Sequence, residues 1–250
     1  PKKYVDMYDP GYEGEEVIYP LYAPKTFLTD RELAHIKALY AAEVTMVDVW
    51  IGKLLKKIED LGLFDNTLVI FTSDHGFYFG EHGIVGKFGM LYEEMTHIPL
   101  IVRMPGAKPG RRSQFVQPCD HMPTILDLAG VEHPDTIQGK SLVDIIKNDG
   151  KPVRDYAVTS WAVVHPPLSD TPLKLDASNW DKYARGLKSS SIVTDKWTLA
   201  TAAGDFRSEL FDNTKDPHQT ANVITDNKPA AEELHAKYIR LLESLETNPV

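Results

Sequence analysis

The chain is poor in cysteine, has no long apolar run and carries no excess of positive charge, and each of these deficits removes a class of function. Cys119 is the single cysteine among 250 residues, so neither an intrachain disulfide nor a Cys-based zinc site can form. No stretch stays apolar for the ~20 residues that a helix needs to cross a bilayer, so no membrane span is expected. Asp and Glu number 36 against 27 Lys and Arg, a formal net charge of −9. A phosphate backbone requires a basic face, so a nucleic-acid partner is not expected, and an anionic substrate would need local cations. No internal repeat or low-complexity tract is present. The chain opens Pro1-Lys2-Lys3-Tyr4 without an initiator Met or a signal-peptide pattern. It reads as a soluble chain that has been cut, with its localisation unknown.

What is present points to an α/β fold. With 42% hydrophobic residues the chain can bury a sizeable core. Residues 1–28 are rich in Tyr, Pro and Gly without a period of 2 or 3.6, and read as an irregular surface segment. Thr29 with Glu32 fits a capping box. Leu33, Ile36, Tyr40, Val44, Val47, Ile51, Leu54, Ile58 and Leu61 then recur at steps of three and four up to Gly62, which predicts a long amphipathic helix with its apolar stripe on a sheet. The unbroken run Leu68-Val69-Ile70-Phe71 predicts a central parallel strand covered on both faces. A loop rich in Gly and aromatics, Phe77 to Gly89, follows. Ile98-Pro99-Leu100-Ile101-Val102 predicts a second strand with Pro99 at its start, where a missing ladder donor matters least.

Met122 to Leu128 predicts a short helix with Pro123 in its first turn and Gly130 as a stop, and Ser141 to Ile146 predicts another. Beyond Lys151, short strands are expected near Ala157 to Val164, Ser191 to Ala200 and Glu209 to Phe211, interrupted by the Pro-rich polar stretch Pro166 to Asp181. Pro229 to Leu245 predicts a closing helix with Leu234, Tyr238, Leu241 and Leu245 on one face. The expected architecture is part of a large mixed, mainly parallel sheet flanked by helices, plus a small C-terminal antiparallel sheet with a closing helix. The expected division is 1–150 for the α/β part and 151–250 for an α+β subdomain.

Chemistry concentrates where the first strand ends. Thr72-Ser73-Asp74-His75-Gly76 follows the apolar run directly, and in an open α/β sheet ligands bind at the carboxyl ends of strands. A carboxylate and a neutral imidazole together can hold a divalent cation that neutralises a bound anion. The residues alone leave a second reading open, in which Asp74 caps the loop beside a histidine that packs. Lys87 is either a solvated charge or an ammonium aimed at an anion. His82 either lines the site or plays a supporting role in its loop, His97, Glu93 and Glu94 read as structural, and Asp120 reads as the N-cap of the helix that follows it.

Phe71-Thr-Ser-Asp-His-Gly76, Gly80-Glu-His-Gly83, Gly86-Lys87, Tyr92-Glu93-Glu94 and Pro99-Leu-Ile-Val102 together resemble the second half of a sulfatase, of the alkaline-phosphatase-like superfamily. Tyr40 to Gly52 with Asp65-Asn66-Thr67, the segment Asp120 to Gly130, Gln138 to Leu142, and Glu209 to Pro217 followed by Asn222 continue the match in order. The resemblance implies that Asp74 and His75 ligate a divalent cation, usually Ca2+, with Mn2+, Mg2+ or Zn2+ as the other candidates. It implies that Lys87 is catalytic, contacting the sulfate and the leaving oxygen of a small anionic sulfate ester or sulfamate. An ammonium there stabilises charge that grows as the S–O bond breaks.

The sequence departs from the family in what it lacks. The C/S-x-P-x-R segment, whose Cys or Ser becomes the formylglycine nucleophile, is absent, and Cys119 lacks the Arg that the pattern requires. The family's first pair of metal-binding aspartates also has no counterpart here. The chain is therefore expected to be the C-terminal part of a sulfuric ester hydrolase, inactive alone and partnered by a missing N-terminal half of the same protein. A phosphonate monoester or phosphodiester hydrolase of the same superfamily is one alternative, and a non-catalytic module that binds sulfated glycans is another. Residues selecting the substrate are expected in Pro166 to Tyr183, with Trp161, Trp180 and Tyr183 as stacking candidates.

Overall fold

A computed structural model describes residues 1–15, 23–25, 28–87, 91–148, 150–160, 190–201 and 208–246. Contacts divide the chain into two compact units, one of Pro1–Phe88 with His97–Pro105, the other of Gly89–Thr96 with Gly106–Val250. Residues on both sides of position 150 thus fall in the second unit. Trp161, Trp180, Tyr183 and the stretch Pro166 to Asp181 lie outside the described residues.

In the first unit the segment expected to be irregular begins with a single helical turn, α1 (Lys2–Val5), which buries Tyr4. Asp9 then clasps the long helix α2 (Asp30–Asp60). Its carboxylate accepts hydrogen bonds from both terminal nitrogens of Arg31, at 2.6 and 2.7 Å, and from Nδ1 of the buried His35 at 2.7 Å. The Tyr12 ring stacks on His35 with centroids 3.5 Å apart. The capping box forms as expected: the Glu32 amide donates to Thr29 Oγ1 while Glu32 Oε2 accepts from the Thr29 amide. The helix stops before Gly62, whose φ of +65° suits a residue without a side chain.

The apolar stripe of α2 does not lie on a sheet along its length. Its buried residues, His35, Ile36, Ala38 and Ala42, all belong to its N-terminal half. The expected central strand is β2 (Val69–Thr72). It pairs antiparallel with β5 (Leu100–Arg103), in the register Val69 to Arg103 and Thr72 to Leu100. Every strand pairing among the described residues is antiparallel. The pairing of β2 with β5 is antiparallel because the chain between Thr72 and Leu100 turns back on itself instead of crossing over through a long helix. Pro99 stands just outside the strand, where its missing N–H is harmless.

The Gly-rich loop after β2 carries structure that its sequence did not announce. β3 (Tyr78–Phe79) and β4 (Ile84–Gly86) form a hairpin, and β1 (Ala23–Pro24) adds to the other side of β4, giving the order β1-β4-β3. The reversal is made by positive φ at Gly80 (+103°), His82 (+52°) and Gly83 (+76°). Glu81 Oε2 accepts the Phe79 amide at 2.5 Å.

The second unit holds α3 (Glu93–Thr96), α4 (His121–Ala129), α5 (Val143–Asn148) and a four-stranded antiparallel sheet in the order β6-β7-β8-β9. These strands are β6 (Ala157–Ser160), β7 (Ser190–Val193), β8 (Trp197–Thr201) and β9 (Glu209–Asp212). The single strand expected from Ser191 to Ala200 is two strands joined at Thr194, whose amide donates to the Trp197 carbonyl at 2.8 Å. The closing helix α6 (Lys228–Ser244) lays Ala231 and Leu234 on Ile192, Leu199 and Leu210 of the sheet. Each buried leucine or isoleucine in this cluster contributes roughly 1.5–3 kcal/mol.

Asp120 is not the side-chain cap of α4. Its fully buried carboxylate accepts from both terminal nitrogens of Arg154 and from the amides of Gln117 (2.8 Å) and Lys140 (2.7 Å). Burial pushes its pKa up, but Arg154 and the two amides outweigh that and hold it below the usual range. The Lys140 contact brings the backbone so close that a Cβ on Gly139 would sit 1.9 Å from the Cys119 carbonyl oxygen. Gly130 ends α4 at φ +67°, as expected.

Candidate functional site

Strand β2 delivers the chain to Ser73, and from there local hydrogen bonds shape the loop. Ser73 Oγ donates to the His75 carbonyl at 3.0 Å, and the His75 amide donates to Asp74 Oδ1 at 3.0 Å. A regular strand would send Asp74 and His75 to opposite faces. The turn instead brings Asp74 Oδ2 to 3.4 Å from His75 Nε2. Lys87, one residue beyond β4, returns to the same place with its Nζ 3.4 Å from His75 Nε2. The three side chains singled out in the sequence therefore meet at one imidazole nitrogen.

The tautomer of that imidazole follows from its other side. His75 Nδ1 lies 2.8 Å from the Gly76 carbonyl oxygen, which can only accept, so Nδ1 carries a proton, and in the neutral ring Nε2 presents the lone pair. Histidine ligands of metals are commonly oriented in this way by a backbone carbonyl. Asp74 is largely exposed. Its slight burial raises its pKa, but hydrogen bonds, that from the His75 amide foremost, more than offset this, so the group lies below its usual value and is ionised at neutral pH. An ionised carboxylate, an imidazole lone pair and an ammonium are thus gathered in one loop. Among the described residues no group of three or more His, Cys, Asp or Glu is gathered to hold a metal ion, and Asp74 with His75 makes a pair of potential donors.

The other histidines and acids stand elsewhere. His82 packs its ring edge-on to Tyr78, with centroids 6.1 Å apart, and His97 is exposed. Glu93 begins α3, and its amide donates to Gln219 Oε1 at 2.8 Å. Asn222, part of the sequence match, braces β9: its Oδ1 accepts from the amides of Leu210 (3.1 Å) and Ile224 (3.0 Å).

The α/β layout, with a carboxylate–imidazole pair at a strand end, places the protein in the alkaline-phosphatase-like superfamily. Within it the chain belongs to the sulfatase family, whose model matches residues 1–131. The chain is 46% identical over 119 residues to an N-acetylglucosamine-6-O-sulfatase of Bacteroides thetaiotaomicron, covering 47% of this chain and 21% of that protein. Its fold is similar to a solved protein in complex with its substrate D-glucosamine-2-N,6-O-disulfate. The TM-score is 0.70 and the identity 29%, over 90% of this chain and 44% of that one. It is also similar to the phosphonate monoester hydrolase of Agrobacterium radiobacter, with a TM-score of 0.69 and 27% identity over 87% of this chain and 42% of that one. The chain spans less than half the length of the curated relatives it matches.

Proposed function

We propose that this chain is the metal-binding and C-terminal part of a divalent-cation-dependent sulfatase that hydrolyses a sulfate ester or sulfamate on an amino sugar. The formylglycine nucleophile would be supplied by sequence outside this chain, which contains no C/S-x-P-x-R segment. The observation that carries the reading is the meeting of Asp74 Oδ2, His75 Nε2 and Lys87 Nζ within 3.4 Å in a chain of this family. The substrate class is suggested by the sulfated glucosamines named for two of the relatives.

Asp74 and His75 would hold the cation, which, when bound, neutralises the sulfate oxygens. Ca2+ takes six to eight oxygens, so most of its ligands would come from elsewhere. Gly76 keeps the His75 ring in the tautomer and orientation that ligation needs. One lone pair cannot serve an ammonium and a cation at once, so with a cation held at Nε2 the Lys87 ammonium would be free to donate to an anion's oxygen, where it would stabilise charge that develops on the bridging oxygen. A second reading, a phosphonate monoester or phosphodiester hydrolase, is favoured by the Agrobacterium structure, because the same three groups suit any tetrahedral anion.

The test is an assay of the full-length protein on an aryl sulfate, a 6-O-sulfated glucosamine and an aryl phosphonate, with Asp74→Ala and Lys87→Ala. Sulfate-ester cleavage should fall at least ~10²-fold in each variant while the melting midpoint stays close to wild type. Preference for the phosphonate would favour the second reading. Binding of the sulfated sugar without turnover would make the protein a recognition module. Wild-type rates in Asp74→Ala would remove the metal role.

A further inference from the structure

Lys87 reaches His75 from a hairpin that is short for holding its own register. β3 and β4 are joined by two residue pairs, Tyr78 with Gly86 and Phe79 with Val85, and β1 adds two more on the other side of β4. Lys87 follows β4 directly, so the register of these few pairs decides where its side chain goes. A slip of one residue would carry Lys87 along the strand by roughly 3.3 Å and turn it to the opposite face. Either change would take Nζ from its place 3.4 Å from His75 Nε2. The reversal between the strands is itself unfavourable, since His82, which carries a side chain, adopts a left-handed conformation at φ +52°. Strand pairing alone is too little to fix it.

Glu81 sits in that reversal and supplies what the pairing lacks. The Gly80 amide donates across the hairpin to the Ile84 carbonyl at 2.9 Å. By the alternation of an antiparallel ladder the Phe79 amide then points outward, along the edge of the sheet, where β3 has no second neighbour among the described residues. Glu81 turns back to that amide, and its Oε2 accepts at 2.5 Å. A hydrogen bond to an ionised acceptor is roughly twice as strong as a neutral one. Oε1 of the same carboxylate stands 3.8 Å from Lys37 Nζ on α2, and the ring of Tyr40, also on α2, packs on Phe79 with centroids 4.7 Å apart. The exposed Lys37 pair adds little stability, but together with the ring contact it ties the turn to the helix.

We propose that Glu81 is a positioning residue for sulfate-ester cleavage: by holding the Phe79 amide it fixes the register of β3 on β4 and so sets the Lys87 ammonium where it meets the anion. The inference rests on the role proposed above for Lys87, and its test separates the two.

The experiment is a double-mutant cycle on the full-length protein, with kcat and KM measured on an aryl sulfate for Glu81→Ala, Lys87→Ala and the double variant, and with Glu81→Gln as the conservative control. Glu81→Ala should lower kcat at least ~10-fold with KM changed less than about twofold, because a misplaced ammonium loses a contact made in the transition state. In the Lys87→Ala background the same change should cost less than about twofold, because its effect is exerted through Lys87. Glu81→Gln keeps an oxygen that accepts from the Phe79 amide and should recover at least about half of the wild-type kcat. If Glu81→Ala does not fold, Glu81→Asp, whose arm is one methylene shorter, takes its place in the cycle. Equal losses in both backgrounds, or wild-type kcat in Glu81→Ala beside a slow Lys87→Ala, overturn this inference and leave the role of Lys87 standing. Wild-type kcat in Lys87→Ala overturns both.

Discussion

His75 and Asp9 illustrate how one hydrogen bond sets what a side chain can do. At His75 the Gly76 carbonyl accepts a hydrogen bond from Nδ1 and leaves Nε2 facing Asp74 and Lys87. At Asp9, hydrogen bonds from Arg31 first and His35 second lower the carboxyl pKa from 3.8 to about 2. A depressed carboxylate contributes stability that is fully present above its ordinary value and is lost as pH falls through the lowered one. The excess urea midpoint of the full-length protein over its Asp9→Asn variant should therefore be constant above pH 3.8 and shrink towards pH 2. A difference that stays flat through that window would show that the Asp9 clasp does not form. The partnership of Asp120 with Arg154 had no signal in the sequence, because the two lie 34 residues apart and either could be a surface charge.

Elements governed by neighbouring residues were legible, and those governed by distant ones were not. Thr29 and Glu32 announced the start of α2, Gly62 and Gly130 announced two helix ends, and Pro99 marked the start of β5. Thr29→Ala removes an acceptor from the first turn of α2 and should destabilise the full-length protein by about 0.5–2 kcal/mol in urea unfolding. An unchanged midpoint would mean that packing of His35 and Ile36 holds that turn without the cap. The antiparallel pairing of β2 with β5 had no signal in the sequence, because four apolar residues in a row specify a buried strand but not its partner. β3 and β4 were hidden because strands of two or three residues are too short to show a period, and their turn relies on a positive φ at His82. Asp74, His75 and Lys87 stood out in the sequence because they fall in a dense run of matched motifs. Their meeting at Nε2 depends on the β3–β4 hairpin, which the sequence did not reveal.

For the whole molecule, a bound cation would link the loop after β2 to global stability, because a ligand that binds only the folded state raises the melting midpoint. The full-length protein should melt higher with added Ca2+ and lower after chelation, by an amount equivalent to ~2.7 kcal/mol at a hundredfold excess over Kd. Asp74→Ala should abolish the difference between the two conditions. Equal midpoints with and without chelator in the unaltered protein would count against a cation at Asp74 and His75. This measurement reads the metal independently of substrate, nucleophile and turnover.

Gly139, pressed against the Cys119 carbonyl, supplies a calibration for variants elsewhere in the second unit. Any side chain there must push apart the backbone that feeds the Asp120 carboxylate, so its effect on activity would arrive through the fold alone. A Gly139→Ala protein therefore marks how far catalysis falls when only architecture is disturbed. Losses at Lys87 can then be judged as chemistry to the extent that they exceed that mark without the accompanying fall in melting midpoint.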